Sequence, residues 1–313
     1  MEMKNKVVTL TANPCIDRTL TVARMQTGAT NRVEQVTETV NGKGINTSVA
    51  VKLLGFPTLA VVTEYLDGRS VSRYLSEIGI ENVAVTANGT LRVNTKVFDR
   101  TSETVTEFNC KGCEVSPDLE DRLLGAVLNS VCKGDVLAVS GSVPPGIGNS
   151  FYCRIIREAN KLGVFTVLDA DGELLYEGIK AEPCLVKPNS EELSRLCKRK
   201  IVTPTEAANE AKCLMAMGAK AVCVSLGADG AVLVGENAAY YAPSAKVAVR
   251  GTVGAGDSMV AGFAISALMS EAPEEALRSA MAVAAGSVSL PGTRMCDAEL
   301  YTEMLRCINI QKL

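Results

Sequence analysis

The 313 residues include no histidine. Every mechanism that uses imidazole as a base, and every metal site built on it, is thereby excluded. A general base has to be Asp, Glu, Lys, Tyr or Cys. Long hydrophobic runs are also missing, so no segment approaches membrane-spanning length. Residues 1–6 are polar and the apolar stretch 7–10 is too short for a secretion signal. The expectation is a cytoplasmic protein whose eleven cysteines are reduced and mostly buried. Cys110-Lys111-Gly112-Cys113 is a single C-x-x-C with no second pair, which is weak evidence for zinc or redox chemistry. Positive charge is not in excess: 32 Lys and Arg stand against 35 Asp and Glu, for a formal charge of −3. This balance argues against nucleic acid or an anionic membrane as the main partner, while leaving room for a local basic pocket around a phosphorylated metabolite. Two common phosphate motifs are absent. There is no G-x-x-x-x-G-K-[ST] loop, and Gly254-Ala255-Gly256 lacks the third glycine of G-x-G-x-x-G, with Met259 in its place.

What is present centres on Gly251-Thr252-Val253-Gly254-Ala255-Gly256-Asp257-Ser258. The glycines permit a tight loop, and Met259, Val260, Phe263, Ala264, Ala267 and Leu268 then recur at helical spacing. A glycine loop feeding a helix gathers free N–H groups and the positive end of the helix dipole, which together suit an anion such as phosphate. Asp257 in that setting would repel phosphate unless it takes a proton from an attacking hydroxyl, as phosphoryl transfer requires. The same aspartate also fits a plain helix cap.

Along the chain, residues 7–10 read as a buried strand broken at 13–17, and 19–40 as short strands around Gly28. Asn41-Gly42-Lys43-Gly44-Ile45-Asn46 is a second glycine turn, followed by a helix through Val49, Leu53 and Leu54 that stops at Gly55. Residues 59–62 read as a strand and 71–78 as a helix. Residues 92–98 and 104–108 alternate and predict a hairpin with one solvated face, to which Arg92, Asn94 and Lys96 are assigned. Beyond residue 115, helices at 117–131, 155–162, 189–196 and 205–217 alternate with strands at 136–139, 164–168, 185–186 and 221–224. A late hairpin (231–234 with 238–241) and helices from 257 and over 274–288 end the chain. Alternating strands and helices predict a doubly wound α/β fold: a mostly parallel sheet with helices on both faces. The inserts at about 14–40 and 90–112 predict a small β-sheet lid on this single domain. Ligands in such folds bind beyond the carboxyl ends of the strands.

Four motifs in order, Asn41 to Asn46, Lys187-Pro188-Asn189-Ser190-Glu191-Glu192, Ser225-Leu226-Gly227 and Gly254-Ala255-Gly256-Asp257-Ser258, resemble the ribokinase-like carbohydrate kinases of the PfkB family across the whole chain. Thr11-Ala12-Asn13-Pro14-Cys15-Ile16-Asp17, Arg92-Val93-Asn94-Thr95-Lys96 and Thr104-Val105-Thr106-Glu107-Phe108-Asn109 resemble the branch that acts on phosphorylated ketohexoses, fructose 1-phosphate first, then tagatose 6-phosphate and fructose 6-phosphate. The resemblance implies ATP as donor, Mg²⁺, and a homodimer paired through the lid. It implies Asp257 as base, and Gly254, Ala255 and Gly256 as donors to the moving phosphoryl group. Asp17, Gly42, Lys43, Asn46 and Ser142 would hold the sugar, and Arg92 its existing phosphate. Lys187, Asn189, Ser225, Gly227 and Thr252 would line the nucleotide, with Glu192 and Asn189 organising Mg²⁺ through water. Asn189 and Glu192 equally fit a helix capping box. The chain departs from the family pattern at three places: Asn41 where glycine is common, Leu91 in place of a threonine, and Gly251 before Thr252. A catalytically silent sugar-phosphate sensor on the same fold is the alternative of a different class, and the intact Asp257 loop argues against it.

Overall fold

The computed structural model describes residues 5–313. β1 (Val7–Thr11) leads to β2 (Cys15–Val22) and β3 (Val33–Asn41), then α1 (Lys43–Leu53), β4 (Thr58–Tyr65), α2 (Val71–Glu77) and β5 (Glu81–Ala87). β6 (Arg92–Asp99) and β7 (Thr104–Phe108) follow. A regular alternation comes next: α3 (Asp118–Ser130), β8 (Val136–Ser140), α4 (Phe151–Lys161), β9 (Phe165–Asp169), α5 (Gly172–Ile179), β10 (Leu185–Val186), α6 (Ser190–Cys197), α7 (Pro204–Ala216) and β11 (Val222–Ser225). The last elements are β12 (Ala231–Val234), β13 (Ala239–Ala242), α8 (Ala255–Leu268), α9 (Pro273–Val288), α10 (Ala298–Leu305) and β14 (Gln311–Lys312).

Among the described residues the large sheet runs β14-β13-β12-β11-β10-β9-β8-β1-β4-β5. The seven strands from β11 to β5 are parallel, and β12, β13 and β14 are antiparallel additions at one edge. β1 and β8 are buried at every position, as strands covered on both faces must be. Successive side chains point to opposite faces. Val8, Leu10, Leu137 and Val139 therefore pack with Leu123, Phe151 and Ile155 of α3 and α4, while Val7, Val136 and Ala138 pack with Val51, Val260, Phe263 and Leu277 of α1, α8 and α9. α8 is buried from Asp257 to Ser266, which is why its sequence is apolar nearly all round. It lies so close to α9 that a Cβ at Gly262 would fall 2.5 Å from the Ala280 Cα.

The smaller sheet has the order β3-β2-β6-β7. β2 pairs antiparallel with β3 and parallel with β6, and β6 turns back into β7. Its faces correct the sequence reading. Asn94 and Lys96, assigned by alternation to solvent, are each 8% exposed, and with Asp17 they face the large sheet. The opposite face carries Val36, Leu20 and Val97 in one cross-strand row and Thr95 beside Phe108 in the next. Alternation gives two faces but not which one is covered. Here the polar face is covered because it closes on a site. The break at 13–17 is also shorter than expected: only Ala12, Asn13 and Pro14 separate β1 from β2. β5, α5, α10 and β14 are elements the sequence pattern does not reveal.

Candidate active site

Between the smaller sheet and the carboxyl ends of the parallel strands lies a cavity of about 870 Å³. Its floor is set by Thr11, Ser140, Asp169 and Ser225, each the last residue of its strand. This is the position an open α/β sheet offers to ligands.

The two glycine turns meet there. At the first, a Cβ on Gly42 would come within 2.5 Å of Thr11 Cγ2, and one on Gly44 within 2.5 Å of the Leu10 carbonyl oxygen. Small residues thus let the first turn of α1 lie directly on the end of β1. At the second, Gly254 takes a left-handed conformation (φ 83°) and opens α8, whose first intrahelical bond is donated by Ser258 to the Gly254 carbonyl. The Gly256 and Asp257 N–H groups precede that bond and remain free to point at an anion. Ala255 is different: its N–H is spent on the Thr252 carbonyl at 3.3 Å, and it does not line the cavity. In this geometry Ala255, expected as a donor beside Gly254 and Gly256, turns its N–H to the loop.

Asp257 is 6% exposed. Its Oδ2 accepts from Asn46 Nδ2 at 2.7 Å, and its backbone carbonyl accepts from Thr47 Oγ1 at 3.3 Å, so α1 and α8 together fix the side chain. Burial pushes its carboxyl up to about 6, and the Asp169 charge adds to that rise. Lys43, the Asn46 hydrogen bond and Lys187 act in the opposite direction. Asp169 is itself buried, yet its pKa is lowered, because Lys187 and Lys43 outweigh the desolvation. Lys43 Nζ donates to Asp169 Oδ1 at 3.0 Å and lies 3.9 Å from Glu192 Oε1. Lys187 Nζ is 3.5 Å from Asp169 Oδ2, a charge contact at the edge of hydrogen-bond range. Burial would pull the Lys43 pKa down, but the three carboxylates of Asp169, Asp257 and Glu192 leave it raised, so the ammonium stays charged.

At the other end, Asp17 is surrounded by donors. Cys15 Sγ (3.4 Å) and Asn94 Nδ2 (3.2 Å) reach Oδ1; Asn41 Nδ2 (3.0 Å) and Lys96 Nζ (2.7 Å) reach Oδ2. The Cys15 thiol is pushed up to about 12 by burial and the Asp17 charge, and so stays a neutral donor. Arg92 hangs from backbone carbonyls: Nε and Nη2 on Asn13 at 3.2 and 2.8 Å, and Nη1 on Cys110 at 2.8 Å. Five N–H groups less three leaves one on each terminal nitrogen, a fork suited to two oxygens of a phosphate. Ser142 Oγ accepts from Asn13 Nδ2 at 3.2 Å beside it. Leu91, the departure next to Arg92, is a core residue that does not line the cavity.

On the remaining side, Asn189 and Glu192 form a capping box. The Asn189 N–H donates to Glu192 Oε2 at 2.9 Å and the Glu192 N–H to Asn189 Oδ1 at 2.8 Å. Both line the cavity with Lys187, Ser225 and Thr252. Gly227 does not; it begins the short turn after β11, outside the cavity wall. Among the described residues no three His, Cys, Asp or Glu side chains gather as a metal cage. Glu192 Oε1, not used by the cap, lies 3.9 Å from Lys43 Nζ at the cavity that Glu192 lines.

The match to known proteins decides what this geometry belongs to. Residues 7–299 match the model of the pfkB family carbohydrate kinases. The chain is a pfkB-family carbohydrate kinase. It is similar to the 1-phosphofructokinase of Escherichia coli K12, with 33% identity over 312 residues that cover 99% of both chains. It superimposes with a TM-score of 0.88 and 26% identity on E. coli phosphofructokinase-2 in complex with fructose-6-phosphate, over 96% of this chain and 98% of that one. Arabidopsis thaliana ribokinase complexed with ribose and ATP shares the fold, with a TM-score of 0.80 and 22% identity over 97% and 99%.

The kinase brings together more than its motifs announce. Asn13, Asn41, Asn94 and Lys96 join the site through motifs whose other members draw attention first. Asp169 lies in none of them. Its one signal is an acidic residue at the end of an apolar run read as a strand, which in a parallel sheet is where ligands bind.

Proposed function

We propose that this kinase transfers the γ-phosphoryl group of ATP to the C6 hydroxyl of fructose 1-phosphate, giving fructose 1,6-bisphosphate and ADP. The observation that carries the reading is Asp257: a buried carboxylate, raised to about 6, at the free N–H groups of α8. As the sugar oxygen bonds to the γ-phosphorus, its proton passes to Asp257 and the bond to the β-bridging oxygen breaks, leaving with ADP. The Gly254 and Gly256 backbone would face the charge on the transferred group. Lys43 and Lys187 add positive charge nearby, held in place by Asp169. Arg92 and Ser142 would take the phosphate already on the substrate, and Asp17 and Asn46 its hydroxyls. Ser225 and Thr252 would line the nucleotide; Gly227 is the weakest member of that set because it stands off the cavity.

Mg²⁺ fits the residues present. One carboxylate oxygen of Glu192 left outside the capping box with Asn189 matches an ion that keeps several waters and takes its other ligands from phosphates. When bound, the ion would neutralise charge on the nucleotide phosphates. We read the smaller sheet as a lid over the sugar and its apolar outer face, with Val36 and Phe108 exposed, as the surface that pairs two copies into a homodimer. Among the described residues no helix is long and apolar enough to cross a membrane, and a cytoplasmic location accords with the unpaired cysteines.

A second reading keeps the fold and base but uses a ketohexose 6-phosphate; the likeness to a phosphofructokinase-2 holding fructose-6-phosphate favours it. Incubation with Mg-ATP and either sugar phosphate, followed by phosphorus NMR of the product, tests both. Formation of fructose 1,6-bisphosphate from fructose 1-phosphate supports the first reading, and its absence removes it.

A further inference from the structure

Asn41, the residue that replaces a common glycine, is buried at the end of β3 and makes three side-chain hydrogen bonds. Oδ1 accepts from the Gly42 N–H at 2.6 Å and from Asn46 Nδ2 at 2.9 Å. Nδ2 donates to Asp17 Oδ2 at 3.0 Å. The Gly42 N–H can only donate, so the amide orientation of Asn41 is settled by its neighbours and not by choice. Asn46 is settled in turn, because both groups its Nδ2 meets, Asn41 Oδ1 and Asp257 Oδ2 of the ionised carboxylate, can only accept. Both hydrogens of that nitrogen are therefore committed. A continuous chain, Asp17 to Asn41 to Asn46 to Asp257, joins the smaller sheet to the first turn of α8.

The two ends of this chain do different work. Asp17 has its four acceptor positions filled by Cys15, Asn94, Asn41 and Lys96. A sugar hydroxyl that donates to Asp17 must displace one of these donors. Asp257 lines the cavity with its Oδ2 pinned by Asn46, so the setting of the carboxylate depends on that one amide. We propose that Asn41 is a positioning residue that couples sugar capture at Asp17 to the orientation of Asp257, acting through Asn46. The inference rests on the reading of Asp257 as the base. Displacement at Asp17 Oδ2 frees the Asn41 amide to rearrange, and any rearrangement of Oδ1 is felt at once by Asn46. Asn41 itself touches neither reacting atom.

The test is a mutant cycle of Asn41→Ala, Asn46→Ala and the double variant, measured with saturating Mg-ATP and the ketohexose phosphate that the unmodified protein turns over fastest. Asn41→Ala is expected to lower kcat about tenfold and leave the KM for ATP within about twofold. In the Asn46→Ala background the same change should cost less than about twofold, because the route to Asp257 is already cut. Independent, multiplying losses would overturn the inference, as would a loss confined to the KM for the sugar. Melting temperatures separate a folding defect from a positioning one; if Asn41→Ala does not fold, Asn41→Gly goes through the same cycle. Absence of turnover in the unmodified protein would remove the functional reading together with the inference. An uncoupled cycle in an active enzyme would remove the inference alone.

Discussion

Lys96 Nζ donates to Asp17 Oδ2 at 2.7 Å, with the two side chains only 10% and 8% exposed. An ion pair this enclosed leaves a bare buried charge when one partner is lost. Lys96→Met is expected to lower stability by about 3–5 kcal/mol, read from urea unfolding. Asp17→Asn in the same chain should recover part of that loss, since no lone charge then remains. A Lys96→Met variant as stable as the unmodified protein would show that water reaches the pair.

The raised pKa of Asp257 makes turnover and stability depend on pH in opposite ways. The base works ionised, so kcat/KM for the sugar should fall as the pH drops through about 6. A carboxyl whose folded pKa exceeds its unfolded value of 3.8 binds its proton more tightly when folded. Its contribution to stability is therefore greatest below 3.8 and is lost as the pH rises through about 6. Asp257→Asn should lower kcat about a thousandfold, yet melt no earlier than the unmodified protein at pH 8. Near-normal turnover in that variant would exclude Asp257 as the base.

Arg92 is held by the Asn13 and Cys110 carbonyls with two N–H groups to spare. Arg92→Ala should raise the KM for a phosphorylated ketohexose about a hundredfold with little change in the KM for ATP. Arg92→Lys should recover little, because an ammonium cannot span two carbonyls and a phosphate at once. An unchanged sugar KM in Arg92→Ala would make the residue a structural strut.

The outer face of the smaller sheet exposes Val36 and Phe108 in adjacent cross-strand rows. Val36→Glu with Phe108→Glu should convert a dimer to a monomer in sedimentation at micromolar concentration. If the unmodified chain already sediments as a monomer, pairing through this face is wrong.

The large sheet could be read from the sequence because its strands are apolar throughout and its helices carry a 3.6-residue period. β5 was missed because Glu81, Asn82 and Thr86 interrupt the apolar run on an edge strand, and α5 because its eight residues are too short for a period to show. The site was legible where a backbone requirement leaves a mark, as at Gly42, Gly44 and Gly254. It was illegible where function depends on a face. Lys96 and Asn94 have the spacing of solvated residues, and only the packing of β6 over the cavity turns them inward. Ala255 shows the converse: the motif includes it, but here its N–H turns back to Thr252.

The most direct test of the account is the release of ADP from Mg-ATP with fructose 1-phosphate, fructose 6-phosphate, tagatose 6-phosphate, fructose and ribose, compared as kcat/KM. The account predicts that fructose 1-phosphate exceeds every other sugar by about tenfold or more, a margin of about 1.4 kcal/mol in transition-state binding. Equal or greater turnover of an unphosphorylated sugar would contradict it, because Arg92 would then have no phosphate to hold.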